Sequence, residues 1–149
     1  MTERLEPGML DAWRGLLFAH AKVVRALEAD MLEQHDLPLT WFDLLSRIKQ
    51  APGQRLRMHE LEEASLFTRS GITGLADRLE QAGFVRRERS AEDRRGVYLA
   101  ITQVGTDKID EVWPDHQLSI HNHFGQHLDP KDAKALQALT EKILDPNAE

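Results

Sequence analysis

Two short stretches in the second half of the chain carry the side chains best suited to bind a polyanion. The first is TRSGITGLADR, residues 68–78, and the second is DRRG, residues 93–96. Cations and hydroxyl groups near the start of a helix can reach phosphates and the edges of bases. We therefore predict contacts with double-stranded DNA from seven residues, Thr68, Arg69, Ser70, Thr73, Arg78, Arg94 and Arg95.

The distribution of charge supports this assignment, although the whole chain has a net charge of −6. Residues 66–97 carry seven arginines against five acidic residues, so this segment is basic. Residues 1–65 carry 8 basic and 11 acidic side chains, and residues 98–149 carry four lysines against nine acidic residues. An acidic protein with one basic segment fits a small reader of nucleic acid better than a general polyanion binder.

The DRRG stretch is expected at the tip of a β-hairpin. Aliphatic residues at 97, 99 and 101 alternate with Tyr, Ala and Thr, which is typical of a half-buried strand, and GFVRRER supplies another short strand before it. Arginines at such a tip can enter a DNA minor groove. We interpret Asp93 as a support for this wing that pairs with Arg95 and leaves Arg94 to contact DNA. The alternative is a solvated turn whose charges prevent pairing at a sheet edge.

The first stretch opens a predicted helix over residues 68–82, which Thr68 caps and Gly83 ends. Its apolar face is formed by Ile72, Leu75, Ala76 and Leu79. A shorter helix over residues 58–64 and a short turn precede it. Two helices joined by such a turn and followed by a hairpin form a winged helix-turn-helix. The alternative for this helix alone is an ordinary amphipathic surface helix.

Further amphipathic helices flank this winged unit. The first has a heptad pattern suited to packing on another helix, formed by Leu10, Trp13, Leu17, His20, Val24, Leu27 and Met31. A second helix is predicted to start at Thr40, with Asp43 completing a capping box. Thr102 is expected to cap a long helix, and Asp129 the last helix, where a proline follows at the first position. The pattern predicts one mainly α-helical domain over residues 1–149 with a small β-hairpin wing.

The histidines raise the question of a metal site or a pH switch. His123 and His127 are four residues apart, but Gly125 and a following Asp-Pro pair interrupt the helix there, so we predict no metal site. His20 occupies a heptad position and is expected to be a buried core histidine. If it meets its counterpart in a dimer or lines a pocket, its protonation could bias the dimer.

Other classes of protein find little support in the sequence. The chain has no cysteine, so disulfides, thiolate metal sites and cysteine nucleophiles are excluded. No nucleophile elbow, phosphate loop or HExxH motif is found, and we expect neither an enzyme nor a bound cofactor. No apolar run is long enough to cross a membrane, and the first ten residues do not resemble a signal peptide. We expect a cytoplasmic protein.

The string over residues 60–105 resembles the MarR family of bacterial transcription regulators. The specific marks are the Asp93-x-Arg95 motif, the RLExxGFVxR passage over residues 78–87, and the LxITxxG string over residues 99–105. Together these marks are highly specific, whereas the Asp-x-Arg motif alone carries little weight.

The resemblance implies a homodimer that reads a pseudo-palindromic operator, with half-sites about 34 Å apart. It places the winged DNA-binding part in residues 37–102 and dimerisation helices in residues 8–35 and 103–145. Members of the family usually repress, and many release DNA when a small aromatic or phenolic anion binds between the dimerisation helices and the winged part. By this resemblance the effector-pocket candidates are Trp13, Arg14, His20, Trp41 and Asp43. The alternatives are core packing for Trp41 and helix capping for Asp43.

Three positions depart from the family pattern. Glu62 replaces a small residue, Ser65 replaces an aliphatic residue, and Gly74 stands where a basic residue is common. We therefore expect modest DNA affinity. The main alternative function is a helical dimer whose winged unit contacts another protein and not DNA, but the polar and basic outer face of residues 68–82 disfavours it.

Overall fold

The computed structural model describes residues 4–64, 69–92 and 96–145, without the side chains of residues 63, 64, 69 and 70. The described part is mainly helical and contains one small sheet. The helices and strands are α1 (Met9–His35), α2 (Leu39–Gln50), β1 (Arg55–Arg57), α3 (Met58–Ala64), α4 (Arg69–Gln81), β2 (Val85–Arg89), β3 (Val97–Ile101), α5 (Gln103–His123) and α6 (Pro130–Leu144). Within this part, no helix is both long and apolar enough to cross a membrane.

The chain divides into two compact units, which are described separately. The winged unit consists of residues 31–114, and the helical unit consists of residues 1–30 and 115–149. The predicted order of helix, short helix, helix and hairpin is confirmed in the winged unit, and α3 has the predicted bounds.

The sheet of the winged unit has three antiparallel strands in the order β1-β3-β2. The hairpin of β2 and β3 was predicted, but β1 was not, because three residues are too few to reveal an alternating pattern. The alternating pattern of β3 predicted that Ala100 lies on an exposed face. This prediction is wrong: Ala100 is buried, because β3 is the central strand and Ala100 lies between Arg55 and Arg86.

The core of the winged unit lies between the helices and the inner face of the sheet. The predicted apolar face of α4 is confirmed, since Ile72, Leu75, Ala76 and Leu79 are all buried. They join a cluster that includes Leu44, Leu45, Ile48, Leu61, Val85, Leu99, Ile101, Ile109 and Val112. Burying one large aliphatic side chain contributes about 1.5–3 kcal/mol, so this cluster fixes which side of α4 remains outside.

The end of α4 is fixed by a tight junction with the start of α5. Gly83 adopts φ +80° and ends the helix, as predicted. The Thr102 hydroxyl donates to the Gly83 carbonyl oxygen at 2.6 Å and accepts the Gly105 N–H at 3.1 Å, so Thr102 caps α5 as predicted. A Cβ atom on Gly105 would lie only 2.3 Å from the Phe84 carbonyl oxygen. The junction therefore requires glycine at position 105.

The start of α2 differs from the prediction. The helix begins at Leu39 with Pro38 as the N-cap residue, and no side chain caps it. Asp43 accepts a hydrogen bond from Arg47 Nε at 3.0 Å, one turn further along the helix. The predicted capping role of Asp43 is wrong, because a charge-assisted bond to Arg47 occupies its carboxylate.

The helical unit contains most of α1, the end of α5, and α6. The predicted cap of α6 is confirmed, since Asp129 Oδ1 accepts the Asp132 N–H at 2.8 Å with Pro130 at the first position. All residues from 11 to 20 are exposed. His20 is therefore exposed in the single chain, and its expected place in the core is wrong, because the heptad face on which it lies is not covered within the protomer.

Candidate nucleic-acid interface

The described face of α4 that points away from the core is polar. Thr73, Asp77 and Arg78 are exposed, whereas Ile72 and Leu79 on the opposite side are fully buried. Thr73 and Asp77 are one turn apart and share a face of the helix. Two of the predicted DNA contacts, Thr73 and Arg78, thus lie on the exposed side of α4.

The other predicted contacts on α4 are described only in part. Arg69 and Ser70 belong to the first turn of the helix, and Thr68 lies outside the described residues. The first turn of a helix presents N–H groups and the positive end of the helix dipole. The backbone thus places positions 69 and 70 at the positive end of α4.

A cation covers the surface at Gly74. The Arg78 guanidinium nitrogen Nη1 lies 3.6 Å from where a Cβ atom on Gly74 would be. Helical side chains point towards the N-terminus of their helix, so Arg78 extends back over the preceding turn. Gly74 leaves space for this side chain. The Arg78 guanidinium group therefore lies beside position 74, where the family commonly has a basic residue.

Arg87 on β2 links the hairpin to the exposed side of α4, a role that the sequence did not reveal. Its Nη2 donates to Asp77 Oδ1 at 2.5 Å and its Nη1 donates to Glu80 Oε1 at 3.1 Å. Its backbone N–H donates to Glu80 Oε2 at 3.0 Å. The hydrogen bond that Arg87 donates to Asp77 is the main cause that raises the pKa of Arg87 above its ordinary value. The arginine therefore stays charged and holds two carboxylates of α4.

The outer face of the sheet carries a second group of cations that the sequence reading missed. Arg55 and Arg57 lie against the Tyr98 ring, with their guanidinium carbons 4.4 and 5.2 Å from its centroid. Arg86 Nε donates to Glu88 Oε1 at 2.8 Å, and Arg55 Nη1 lies 3.6 Å from Glu88 Oε2. These arginines come from strands far apart in sequence, so only the pairing of the sheet brings them together.

The stem of the predicted wing is described, but its tip is not. β2 and β3 pair from Val85 with Ile101 to Arg89 with Val97, and the Ser90 N–H donates to the Gly96 carbonyl oxygen at 3.0 Å. Asp93, Arg94 and Arg95 lie outside the described residues, as does Ser65 of the helix-turn-helix. Their assigned roles remain predictions.

The first three effector-pocket candidates belong to the helical unit. Trp13 is 56% exposed, and His20 is also exposed. Arg14 Nη1 lies 3.9 Å from Asp11 Oδ1, and both side chains are well exposed. A weak surface ion pair of this kind leaves the arginine accessible to another anion.

The other two pocket candidates belong to the winged unit. Trp41 is half-buried against the core and makes an edge-on contact with Phe84, whose ring centroid is 6.3 Å away. This contact confirms the core-packing alternative for Trp41. Asp43 is engaged by Arg47, as described above. The pocket assignment itself remains a prediction.

The histidines do not form a recognisable metal cluster in the part of the chain that is described. His123 Nε2 lies 2.8 Å from Asp30 Oδ2, and the Ser119 hydroxyl donates to the same oxygen at 2.5 Å. These contacts link α1 to α5 within the helical unit. The hydrogen bond from Ser119 and, next, that from His123 hold the pKa of Asp30 below its ordinary value.

Comparison with known proteins gives consistent matches. The sequence profile of the MarR family matches residues 35–96. The crystal structure of AbsC, a MarR family transcriptional regulator from Streptomyces coelicolor, is 31% identical, with a TM-score of 0.82, and the match covers 97% of this chain and 95% of AbsC. The structure of Sco3205, a MarR family transcriptional regulator from the same organism in complex with DNA, has a TM-score of 0.88 at 25% identity, over 100% of this chain and 93% of Sco3205.

A characterised repressor is also similar in sequence. The transcriptional repressor MprA of Escherichia coli K12 is 28% identical over 114 residues, which are 76% of this chain and 64% of the length of MprA. The similar proteins are named as regulators of transcription, and this agrees with the expectation that the chain is not an enzyme.

Proposed function

This chain is a member of the MarR family of transcription regulators, and we propose that it is a homodimeric repressor that reads a pseudo-palindromic operator in double-stranded DNA. α4 is assigned as the recognition helix in the major groove, and the hairpin of β2 and β3 as the wing in the adjacent minor groove. In each protomer we assign base and phosphate contacts to seven residues, Thr68, Arg69, Ser70, Thr73, Arg78, Arg94 and Arg95.

One observation carries the DNA-binding proposal. The core fixes α4 so that Thr73 and Arg78 point outwards beside the hairpin stem, and the same fold has been crystallised with DNA in Sco3205. Hydroxyl and guanidinium groups on such a face can donate to base edges and phosphates. Repression is supported by the similarity to MprA, since a protein bound at an operator can exclude other proteins from it.

The dimer proposal is supported by apolar side chains that the single chain leaves exposed. In the helical unit these include Leu10, Leu16, Leu17 and Phe18 on α1, Leu118 on α5, and Leu139, Ile143 and Leu144 on α6. Large apolar surfaces that remain exposed in soluble proteins mark sites of interaction. A second copy of the chain would cover these side chains about a two-fold axis, which matches the symmetry of a pseudo-palindrome.

We further propose that a small aromatic or phenolic anion releases the protein from DNA. The exposed ring of Trp13 and the accessible guanidinium of Arg14 have the chemistry to bind such a ligand. Salicylate, titrated into the protein–DNA complex, should lower the fluorescence anisotropy of labelled DNA, whereas neutral benzyl alcohol should not. Arg14→Gln should weaken the salicylate response, with Arg25→Gln on the same helix as the matched control. An equal response to both compounds would contradict an anion site.

The alternative function is a winged unit that contacts another protein. Such an interface usually has an apolar centre, whereas the described outward face of α4 carries Thr73, Asp77 and Arg78. This face favours DNA.

The test is selection from random duplex DNA with the purified protein, followed by anisotropy titrations at two salt concentrations. We expect an enriched palindrome with half-sites about one helical turn apart. Thr73→Ala should relax the preference at particular base positions, whereas Arg94→Ala should weaken binding to all sequences and reduce the salt slope by about one. Weak, salt-sensitive binding without an enriched sequence would contradict operator reading and favour the protein-contact alternative.

A further inference from the structure

An acidic side chain lies where the proposed recognition helix would face DNA. Asp77 follows Thr73 by one helical turn, and its side chain is 52% exposed. A carboxylate in this position would be repelled by DNA phosphates, because an exposed group within one Debye length of a phosphate is only partly screened. Glu80, one turn beyond residue 77, adds a second carboxylate to the same end of α4.

Arg87 places one cation between these two carboxylates. Its guanidinium group donates to Asp77 and Glu80 through different nitrogens, and its backbone N–H donates to the second oxygen of Glu80. The guanidinium group binds two carboxylates of α4 at once, which is the geometry that a planar, multiply donating cation favours.

We propose that Arg87 is a positioning residue for operator binding that shields the carboxylates of Asp77 and Glu80 from DNA phosphates. The inference rests on the proposed function of α4 as the recognition helix. Arg87 acts through Asp77 and Glu80, and it does not itself contact DNA. Its replacement by an uncharged residue would leave both carboxylates on α4 without this guanidinium group.

A purely structural role is a weaker account of this network. The side chains of Arg87, Asp77 and Glu80 are 33%, 52% and 40% exposed, so water screens their interactions. Exposed ion pairs contribute little to folding stability, and the core face of α4 already fixes the helix against the sheet. A charge close to DNA, in contrast, acts directly on the affinity for a polyanion.

The test measures operator affinity by anisotropy for the full-length protein and five variants, with thermal unfolding of each variant as a folding control. Arg87→Gln should weaken binding about tenfold, because a carboxylate on α4 is no longer neutralised. Arg87→Lys keeps the charge and should bind within about threefold of the unmodified protein, although it loses the paired geometry. Asp77→Asn alone should bind as well as the unmodified protein or better.

The decisive variant combines Arg87→Gln with Asp77→Asn. It has the net charge of the unmodified protein. Removal of the Asp77 carboxylate should restore affinity to within about threefold, because the backbone N–H of residue 87 still donates to Glu80. The matched control combines Arg87→Gln with Asp36→Asn, which restores the same net charge at an exposed position outside α4. Asp36 has φ +49°, a conformation that asparagine tolerates. This control should remain weak, because the global charge is not the cause.

Each result decides the proposal. Rescue by Asp77→Asn and not by Asp36→Asn, with a largely unchanged salt slope for Arg87→Gln, supports shielding. Equal rescue by Asp77→Asn and Asp36→Asn, or no rescue by either, overturns it. A fall of about one in the salt slope of Arg87→Gln also overturns it, because Arg87 would then be a phosphate contact. Should Arg87→Gln fail to fold, a large loss of affinity in the folded Arg87→Lys or Asp77→Asn variant would also overturn it. An unmodified protein that binds no duplex would instead overturn the proposed function, and this inference with it.

Discussion

In the winged unit most of the large apolar side chains are buried by their own chain, whereas in the helical unit many of them are exposed. Leu44, Leu61 and Leu79 of the winged unit are at most 1% exposed, but Leu139 and Ile143 on α6 are 58% and 65% exposed. Stability in a protein comes largely from removing apolar surface from water. The winged unit therefore has its own core within one chain, whereas the exposed apolar side chains of the helical unit fit the proposed dimer.

Among these predictions, the largest expected effect is that of Gly105→Ala on the folding stability of the winged unit. The added Cβ atom would lie 2.3 Å from the Phe84 carbonyl oxygen and 2.8 Å from Ile101 Cγ1, so the backbone at the junction of α4 and α5 must shift. We expect the free energy of unfolding to fall by about 3 kcal/mol or more, measured by urea denaturation. The control is Gly15→Ala in the helical unit, where a Cβ atom would meet nothing within 4 Å in the single chain. Similar small effects of both substitutions would contradict the tight junction.

Removal of α6 tests the other half of the comparison. A chain that ends at Asp129 loses the exposed apolar side chains of α6, and we expect it to sediment as a monomer. The winged unit should remain folded, since its core contains no residue of α6. Two single substitutions separate the loss of the proposed dimer from the loss of folding stability. Leu139→Asp should weaken the dimer, whereas Leu79→Ala should lower the free energy of unfolding by about 2–5 kcal/mol. A stable dimer of the shortened chain would refute the role of α6.

The same contrast explains how much of the fold could be predicted from the sequence. The bounds of α3, the buried face of α4 and the caps by Gly83 and Thr102 follow from local patterns, and the structure confirms them. The heptad pattern of α1 correctly indicated an apolar stripe. It could not reveal whether that stripe is covered by the same chain, and the expected burial of His20 was therefore wrong.

The parts of the candidate site that escaped prediction depend on contacts between distant residues. β1 is recognisable only through its pairing with β3, where Leu56 lies opposite Leu99. Arg87 could be placed in a family motif, but its partners on α4 depend on how the hairpin packs. Asp43 illustrates the limit of local rules, since its spacing fits both a cap and a pair with Arg47, and the structure has the second.

A smaller effect is expected at Gly74, on the exposed side of the winged unit. A Cβ atom there would be in ordinary contact with Arg78 Nη1 at 3.6 Å, so alanine fits without strain. Gly74→Ala should raise the free energy of unfolding by about 1 kcal/mol, because glycine lowers helix propensity by this amount. It should also leave operator affinity within about threefold, provided that Arg78 can still extend over the preceding turn. A loss of stability in urea denaturation would show that the backbone at Gly74 is more restricted than its surroundings indicate.

The smallest expected effect is a pH dependence that arises in the helical unit. The Ser119 hydroxyl and His123 hold the pKa of Asp30 below its ordinary value of 3.8, so the unfolded chain takes up this proton at a higher pH than the folded chain. The resulting stability is fully present above the unfolded pKa and is lost as the pH falls through the folded pKa. Because both partners are about one-third exposed, we expect Asp30→Asn to cost less than about 1 kcal/mol near pH 6.

The difference between Asp30→Asn and the unmodified protein should shrink as urea denaturation is repeated at lower pH, down to about pH 3. Ser119→Ala should reduce the same pH dependence, since the Ser119 hydroxyl is the largest cause of the lowered pKa of Asp30. Parallel losses of stability in all three proteins would show that the link between α1 and α5 does not depend on this carboxylate. One described polar link of the helical unit would then contribute nothing measurable, and the proposed dimer contacts of its exposed apolar side chains would matter more.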